Sequence, residues 1–399
     1  MVSQRAARAE LAAVIRACAS QYRERHGLSV NEQRVLRCIA ACRTEAMGGH
    51  VATCLACGTE HYAYHSCRNR HCPKCQTRAT EQWLDRQCAQ LLPVPYFHVV
   101  FTLPHELNAL IRLNARSLYG ALFAAAAQTL QAFARNPRWL NGELGFSLVL
   151  HTWSQTLSHH PHVHGLVSGG ALRADGHWQA AKSGFLFPVQ ALARVFRGKY
   201  LDALNALRDQ QALHLPPQLA SPRAWHDLER TLRQTPWVVY LKAPLAGPAQ
   251  VLQYLARYTH RVAISNERLV HLDADTVSFR YRAPHGSPAH EKKIMRLSHE
   301  EFLRRFLLHL LPPGFKRIRH YGLTANRGKT DKLTRCRTLL NAPAPTAARN
   351  ESVAAFLTRV TGRDPTRCRH CQRGNLIFVR QLPAATGLPD LRATGPPRP

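Results

Sequence analysis

Acidic side chains are scarce in this chain of 399 residues: 24 Asp and Glu stand against 54 Lys and Arg, a formal charge of +30. Such an imbalance needs a polyanionic partner, and nucleic acid comes ahead of an anionic membrane. Long hydrophobic runs are also missing. The most apolar stretch, Ala121 to Ala134, is shorter than a bilayer span and holds two Gln, so no membrane-crossing helix is expected. The first ten residues, MVSQRAARAE, show no apolar segment before a small-residue cleavage site, which predicts a chain kept in a reducing compartment. No G-x4-G-K-[ST] phosphate loop occurs, so no nucleotide cofactor is expected. What is present is a core: 45% of the residues are apolar, so the charge belongs to a folded protein of two or three domains.

Residues 1 to about 40 read as amphipathic helix, with Leu11, Val14 and Ile15 at helical spacing, Ser29 and Asn31 as caps, then Val35, Leu36 and Ile39. Half of the 12 cysteines then crowd between Cys42 and Cys75, where apolar runs are short and a metal must replace the missing core. Cys54, Cys57, Cys72 and Cys75 form C-x2-C-x14-C-x2-C, a spacing that sets four thiolates around Zn²⁺. Cys42, His50, Cys67 and His71 form a candidate second zinc site. Four thiolates leave no open coordination position, so the zinc is structural, and Arg68, Arg70 and Lys74 beside it suit DNA phosphate. Cys368 and Cys371 are half a site in a tail that decays into Pro, Ala, Arg and Gly after Lys332.

Pro93 and Pro95 close the cysteine region, and Tyr96 to Leu103 reads as a buried strand. Helical pattern follows to about residue 135, then strands Phe146 to Gln155 and His162 to Ser168 joined as a hairpin. Alternation in the second strand sends His162 and His164 to one face and Val163 to the other, so both imidazoles can hold one divalent ion. Downstream, Leu252, Leu255, Thr259 and Val262 recur at steps of 3, 4 and 3 and make the core stripe of a helix. Tyr254 and Tyr258 share a face beside that stripe, with Arg257 and Arg261 next to them. Spacing alone also allows the tyrosines to be the wet edge of a core. From Lys316 to Lys329 the cations Lys316, Arg317, Arg319, Arg327 and Lys329 surround Tyr321, a pattern in which basic groups track a backbone and an aromatic stacks on a base.

Five segments taken together carry a resemblance: HSCRNRHCPKC, FTLPHEL, HPHVHGLVSGG, YLARYTHR and GFKRIRHYGLTANRGK, in that order. The chain resembles the IS91-type transposases, members of the HUH single-strand nucleases with a tyrosine pair. The resemblance implies rolling-circle transposition, in which a tyrosine attacks a DNA phosphodiester, becomes joined to the 5′ phosphate and leaves a free 3′ hydroxyl. It implies Tyr254 and Tyr258 as nucleophiles, Arg257 and Arg261 beside them, and a catalytic Mg²⁺ or Mn²⁺ on His162 and His164. A third ligand usually completes such sites; Gln155 is the expected one and His160 its competitor.

The expected architecture is α+β: residues 1–92 a helical zinc-binding DNA-binding domain, 93–332 a nuclease domain on a central antiparallel sheet flanked by helices, and 333–399 a flexible basic extension. The expected partner is single-stranded DNA at element ends, with no membrane, in the cytoplasm and nucleoid of a bacterium. A non-catalytic zinc-dependent DNA-binding protein, or a replication initiator or relaxase of the same nuclease class, stays open from the residues.

Overall fold

The computed structural model describes residues 9–88, 90–245, 262–282, 292–344 and 351–385. In chain order the strands are β1 (Gly49–Cys54), β2 (Glu60–Tyr64), β3 (Tyr96–Thr102), β4 (Gly142–Trp153), β5 (His159–Arg173), β6 (Trp178–Ala180), β7 (Val239–Leu245), β8 (Leu269–Leu272), β9 (Thr276–Arg282), β10 (Lys292–Ser298), β11 (Ile318–Gly322) and β12 (Leu376–Leu382). The pairings between them are antiparallel, and helices flank the sheets, as the α+β reading expected. No helix among the described residues is long and apolar enough to cross a membrane.

Two compact units divide the chain, and neither is continuous. One takes Met1–Ala79, Ile264–Leu307 and Ala348–Pro399; the other takes Thr80–Ala263 and Leu308–Ala347. This corrects the expected consecutive division, and the reason is long-range pairing that spacing along the chain does not show. The supposed tail contributes β12, which lies against β1 in the sheet β12-β1-β2. Residues around 264 to 307, assigned to the nuclease domain from sequence, build the sheet β10-β9-β8 and a helix of the first unit.

Within that first unit the N-terminal helices form as the periodicity demands. Leu11–His26 buries Leu11, Val14, Ile15 and Cys18, and Val30–Ala41 buries Val35, Leu36, Cys38 and Ile39. Ser29 starts the second helix with a full capping box: its hydroxyl accepts from Glu32 N–H while the Glu32 carboxylate accepts from Ser29 N–H at 2.8 Å. The first helix is capped from far away, because Leu11 N–H donates to Asn266 Oδ1 at 3.1 Å. Helix His299–Leu307 turns Phe302, Leu303 and Phe306 inward and packs on that first helix.

The second unit is built on the sheet β11-β4-β5-β3-β7, with β6 added to β5. Alternation sorts its side chains onto two faces. Phe97, Val99 and Phe101 of β3, Leu148 and Leu150 of β4, and Val163 and Val167 of β5 enter one core beneath helices Ala115–Arg135 and Val189–Asp209. Each such side chain contributes about 1.5–3 kcal/mol by leaving water, so this unit carries a core of its own. The opposite face holds His98, His162 and His164, the strand neighbours of those core residues, and His151. β11 occupies an edge of the sheet and ends at Gly322, whose φ of +60° and close approach to the Leu144 carbonyl leave no room for a Cβ.

Candidate active site and metal centre

The hairpin of β4 and β5 brings three imidazoles together. His151 is paired directly across from His162, and His164 lies two residues further along β5 on the same face. The ligand nitrogens of His151, His162 and His164 all fall within 4.8 Å of one another, and His162 Nε2 is 3.1 Å from His164 Nε2. Three nitrogens about 2.1 Å from one ion are separated by about 3.0–3.4 Å, so the cluster has the right dimensions for a metal.

Neighbouring groups turn the rings toward that shared point. His162 Nδ1–H donates to the His160 carbonyl at 2.6 Å, which leaves the Nε2 lone pair free to ligate. His164 Nδ1 and His98 Nε2 share a proton at 2.9 Å, and the two rings stack at 5.2 Å. On the third ligand, Trp153 stacks against His151 at 4.6 Å. Burial lowers the pKa of His162 and His98, each to about 4; Lys242 lowers His98 further. Both are therefore neutral at physiological pH, the state that ligation requires. Three protein ligands leave coordination positions open to substrate oxygens.

His151 thus stands where Gln155 was expected. The strand ends earlier than its apolar pattern suggests: Ser154 N–H donates to the Ser158 carbonyl at 3.0 Å and closes a turn, so Gln155 lies exposed at its tip. Buried Leu157 holds the turn in place with φ of +62°, and His309 Nε2–H donates to its carbonyl at 3.1 Å. The competitor, His160, lends its carbonyl to His162. Sequence reasoning misses His151 as a ligand, although it alternates with Trp153 in the strand, and misses His98, a histidine inside an otherwise apolar strand.

The thiols are also regrouped. Cys72 and Cys75 join Cys42 and Cys67, not Cys54 and Cys57, and the four sulfurs lie within 4.8 Å of one another. Cys42 Sγ is 3.4 Å and Cys67 Sγ 3.6 Å from Cys75 Sγ, near the roughly 3.8 Å edge of a tetrahedron with 2.3 Å metal–sulfur bonds. His50 and His71 are not in this set. The 14 residues between the two CxxC pairs do not fold the pairs onto each other: they hold β2, which pairs back onto β1, and Cys54 and Cys57 at the turn of that hairpin enter a different cluster. Both expected zinc sets are therefore corrected in their membership.

Of the expected DNA contacts, Arg68 is exposed, burial holds the Arg70 guanidinium below its ordinary range, and Lys74 is paired with Glu10 at 2.6 Å. Arg319 and Tyr321 lie in β11, not in a loop. The Arg319 guanidinium covers the Phe123 ring at 4.3 Å, and Tyr321 stacks on Phe146 at 5.2 Å, so one face of that ring is occupied within the fold. Lys316, Arg327 and Lys329 lie outside that strand, the first two exposed. Tyr254, Arg257, Tyr258 and Arg261 lie outside the described residues.

The donor sets give the chain two kinds of candidate site: clusters of four thiols in one unit and an open cluster of three imidazoles in the other. Residues 14–103 match the family described as "Transposase zinc-binding domain", and residues 145–332 match the family described as "Putative transposase". The chain is 44% identical over 389 residues to "Putative transposase y4qJ" of Sinorhizobium fredii, covering 95% of this chain and 97% of that protein. It is 31% identical over 360 residues to the transposase for insertion sequence element IS801 of Pseudomonas savastanoi pv. phaseolicola, covering 89% and 85% respectively. The conjugative relaxase TrwC, solved metal-bound with oriT DNA, aligns over 40% of this chain and 69% of that one at 13% identity, with a TM-score of 0.24; no residue is carried across from it. The chain belongs to the IS91-type transposase family, and its N-terminal region is a zinc-binding domain of that family.

Proposed function

We propose that this chain is a rolling-circle DNA transposase that nicks and rejoins single-stranded DNA through a 5′-phosphotyrosine. The observation that carries the reading is the convergence of His151, His162 and His164 on the open face of the central sheet, with their ring nitrogens oriented by their neighbours. These three residues would hold a Mg²⁺ or Mn²⁺ ion, which when bound polarises a phosphate oxygen.

The chemistry needed from the chain is modest. A tyrosine with a pKa near 10 is a weak nucleophile at neutral pH, so its phenolate has to be favoured by nearby cations, and Arg257 and Arg261 are the candidates. The phenolate oxygen of Tyr254 or Tyr258 forms a bond to phosphorus while the bond from phosphorus to the 3′ oxygen breaks. That oxygen leaves as the 3′ hydroxyl after taking a proton. One phosphodiester has been exchanged for another, so rejoining needs no nucleotide cofactor. Two tyrosines four positions apart in the chain can act in succession. The formal charge of +30 supplies attraction to the DNA backbone.

Mass spectrometry of the trapped protein–oligonucleotide adduct tests the proposal. Wild-type protein with a single-stranded terminal oligonucleotide and Mn²⁺ is expected to yield a peptide from residues 250–262 carrying a 5′ phosphate adduct. The double Tyr254→Phe, Tyr258→Phe variant is expected to bind DNA and form none. Full cleavage by that variant would eliminate the tyrosine mechanism.

A further inference from the structure

Cys54, Cys57, Cys368 and Cys371 stand together although more than 300 residues separate the two pairs in the chain. Cys54 Sγ lies 3.6 Å from Cys371 Sγ, Cys57 Sγ lies 3.8 Å from Cys368 Sγ, and all four sulfurs fall within 4.8 Å of one another. These separations match the roughly 3.8 Å edge of a zinc–thiolate tetrahedron and are far from the bond of about 2.05 Å in a disulfide. We propose that these four cysteines hold a second structural zinc ion, and that this ion fastens the chain's C-terminal segment onto its N-terminal hairpin. The proposal is independent of the tyrosine chemistry above.

The two CxxC pairs are built alike. Ala56 N–H points at Cys54 Sγ at 3.4 Å, and His370 N–H points at Cys368 Sγ at 3.3 Å. Gly58 N–H donates to the Cys54 carbonyl at 2.9 Å, and Gln372 N–H donates to the Cys368 carbonyl at 3.1 Å. Both residues that close these turns have positive φ, +68° at Gly58 and +59° at Gln372. Cys54 N–H donates to the Thr59 carbonyl and Cys368 N–H to the Gly374 carbonyl, so each first cysteine is held by a residue just ahead of the strand that follows its turn. Backbone N–H groups aimed at sulfur stabilise thiolate, the form that ligates. His61 Nε2 lies 3.2 Å from Cys368 Sγ and can donate to it, the kind of outer hydrogen bond that metal-bound thiolates accept.

Apart from the β12–β1 ladder, the described C-terminal segment has little apolar burial to hold it in place. Within residues 351–385 the buried positions are Phe356, Cys368 and Gly374. β12 leaves Phe378 67% exposed, with Ile377 and Val379 about half exposed. One buried phenylalanine does not offset the entropy of ordering 35 residues. A structural zinc ion, whose binding is coupled to folding, would hold the β12-β1 pairing that begins at Cys54 opposite Leu376.

Native mass spectrometry of the full chain, purified without chelator, tests the proposal. Two zinc ions per wild-type chain, falling to one in the Cys368→Ser, Cys371→Ser variant, are the expected result. A single zinc in wild type, or two retained in the variant, overturns it. Should the variant misfold, alkylation of the intact wild-type chain decides. Cys57 and Cys88 are both exposed, so a zinc on the first protects it until chelator is added while the second reacts at once. Equal reaction at both, or a Cys54–Cys371 disulfide in the peptide map, overturns the proposal.

Discussion

The four-thiol module around Cys42 and the imidazole sheet around His162 solve opposite problems. In the first, a stretch with few apolar residues cannot bury enough surface to stay ordered, so its ligands are the core: Cys42, Cys67 and Cys72 are buried and Cys75 half-buried. In the second, Phe97, Val99, Phe101 and their partners already form a core, and the imidazoles lie on the other face of the strands that carry it. A metal that holds a fold is enclosed by four sulfurs. A metal that meets a substrate needs a fold that stands without it, and three nitrogens with positions left open.

Metal removal should separate the two modules most strongly. Strong chelation is expected to unfold the thiol module, seen as complete hydrogen exchange across residues 42–75, while amides in β3, β4 and β5 stay protected. Cys67→Ser should do the same at a cost on the order of 10 kcal/mol. Loss of protection in the sheet at the same chelator concentration would mean that both units depend on metal.

His162→Ala sharpens the other side. Nicking is expected to fall by at least about 10³-fold, since several kcal/mol of charge stabilisation is lost, with little change in thermal stability. Phe101→Ala on the next core position should behave inversely, losing about 3–5 kcal/mol of stability because a fully buried ring is removed from against Phe196. Unfolding midpoints and single-turnover nicking rates read both. His98→Ala, which takes away only the partner of His164, should weaken metal affinity by about 10–100-fold.

A smaller effect concerns pH. Burial lowers His309 to about 3 and His320 to about 4. In the unfolded chain both titrate near 6.5, so below that pH the unfolded state binds more protons and stability falls as pH drops from about 6.5 toward 3. The loss amounts to a few kcal/mol, and His309→Asn should flatten part of it in denaturant titrations across that range. Smallest of all is Lys316→Ala, an exposed charge whose removal should lower DNA affinity a few-fold and reduce the salt slope by about 0.7.

Much of this was legible along the chain. The capping box at Ser29, the strand from Tyr96 and the His162-Val163-His164 alternation follow from local rules, because caps and strand faces depend on residues a few positions apart. Gln155 was misplaced because the turn at Ser154 is held by Leu157 and His309, the latter more than 150 residues away. The grouping of the thiols failed for the same kind of reason: CxxC marks a knuckle, but nothing in the spacing says which knuckle pairs with which.

Composition and near neighbours in the chain were enough for the charge that favours DNA, for the pairs of ligands, and for the alternation that separates a histidine face from a core. Folding in three dimensions was needed to bring His151 into the imidazole cluster, Cys42 and Cys67 to Cys72 and Cys75, and Cys368 and Cys371 back to Cys54 and Cys57. A ligand set is closed in space, and the β-sheet registers that close it join residues whose separation along the chain carries no signal.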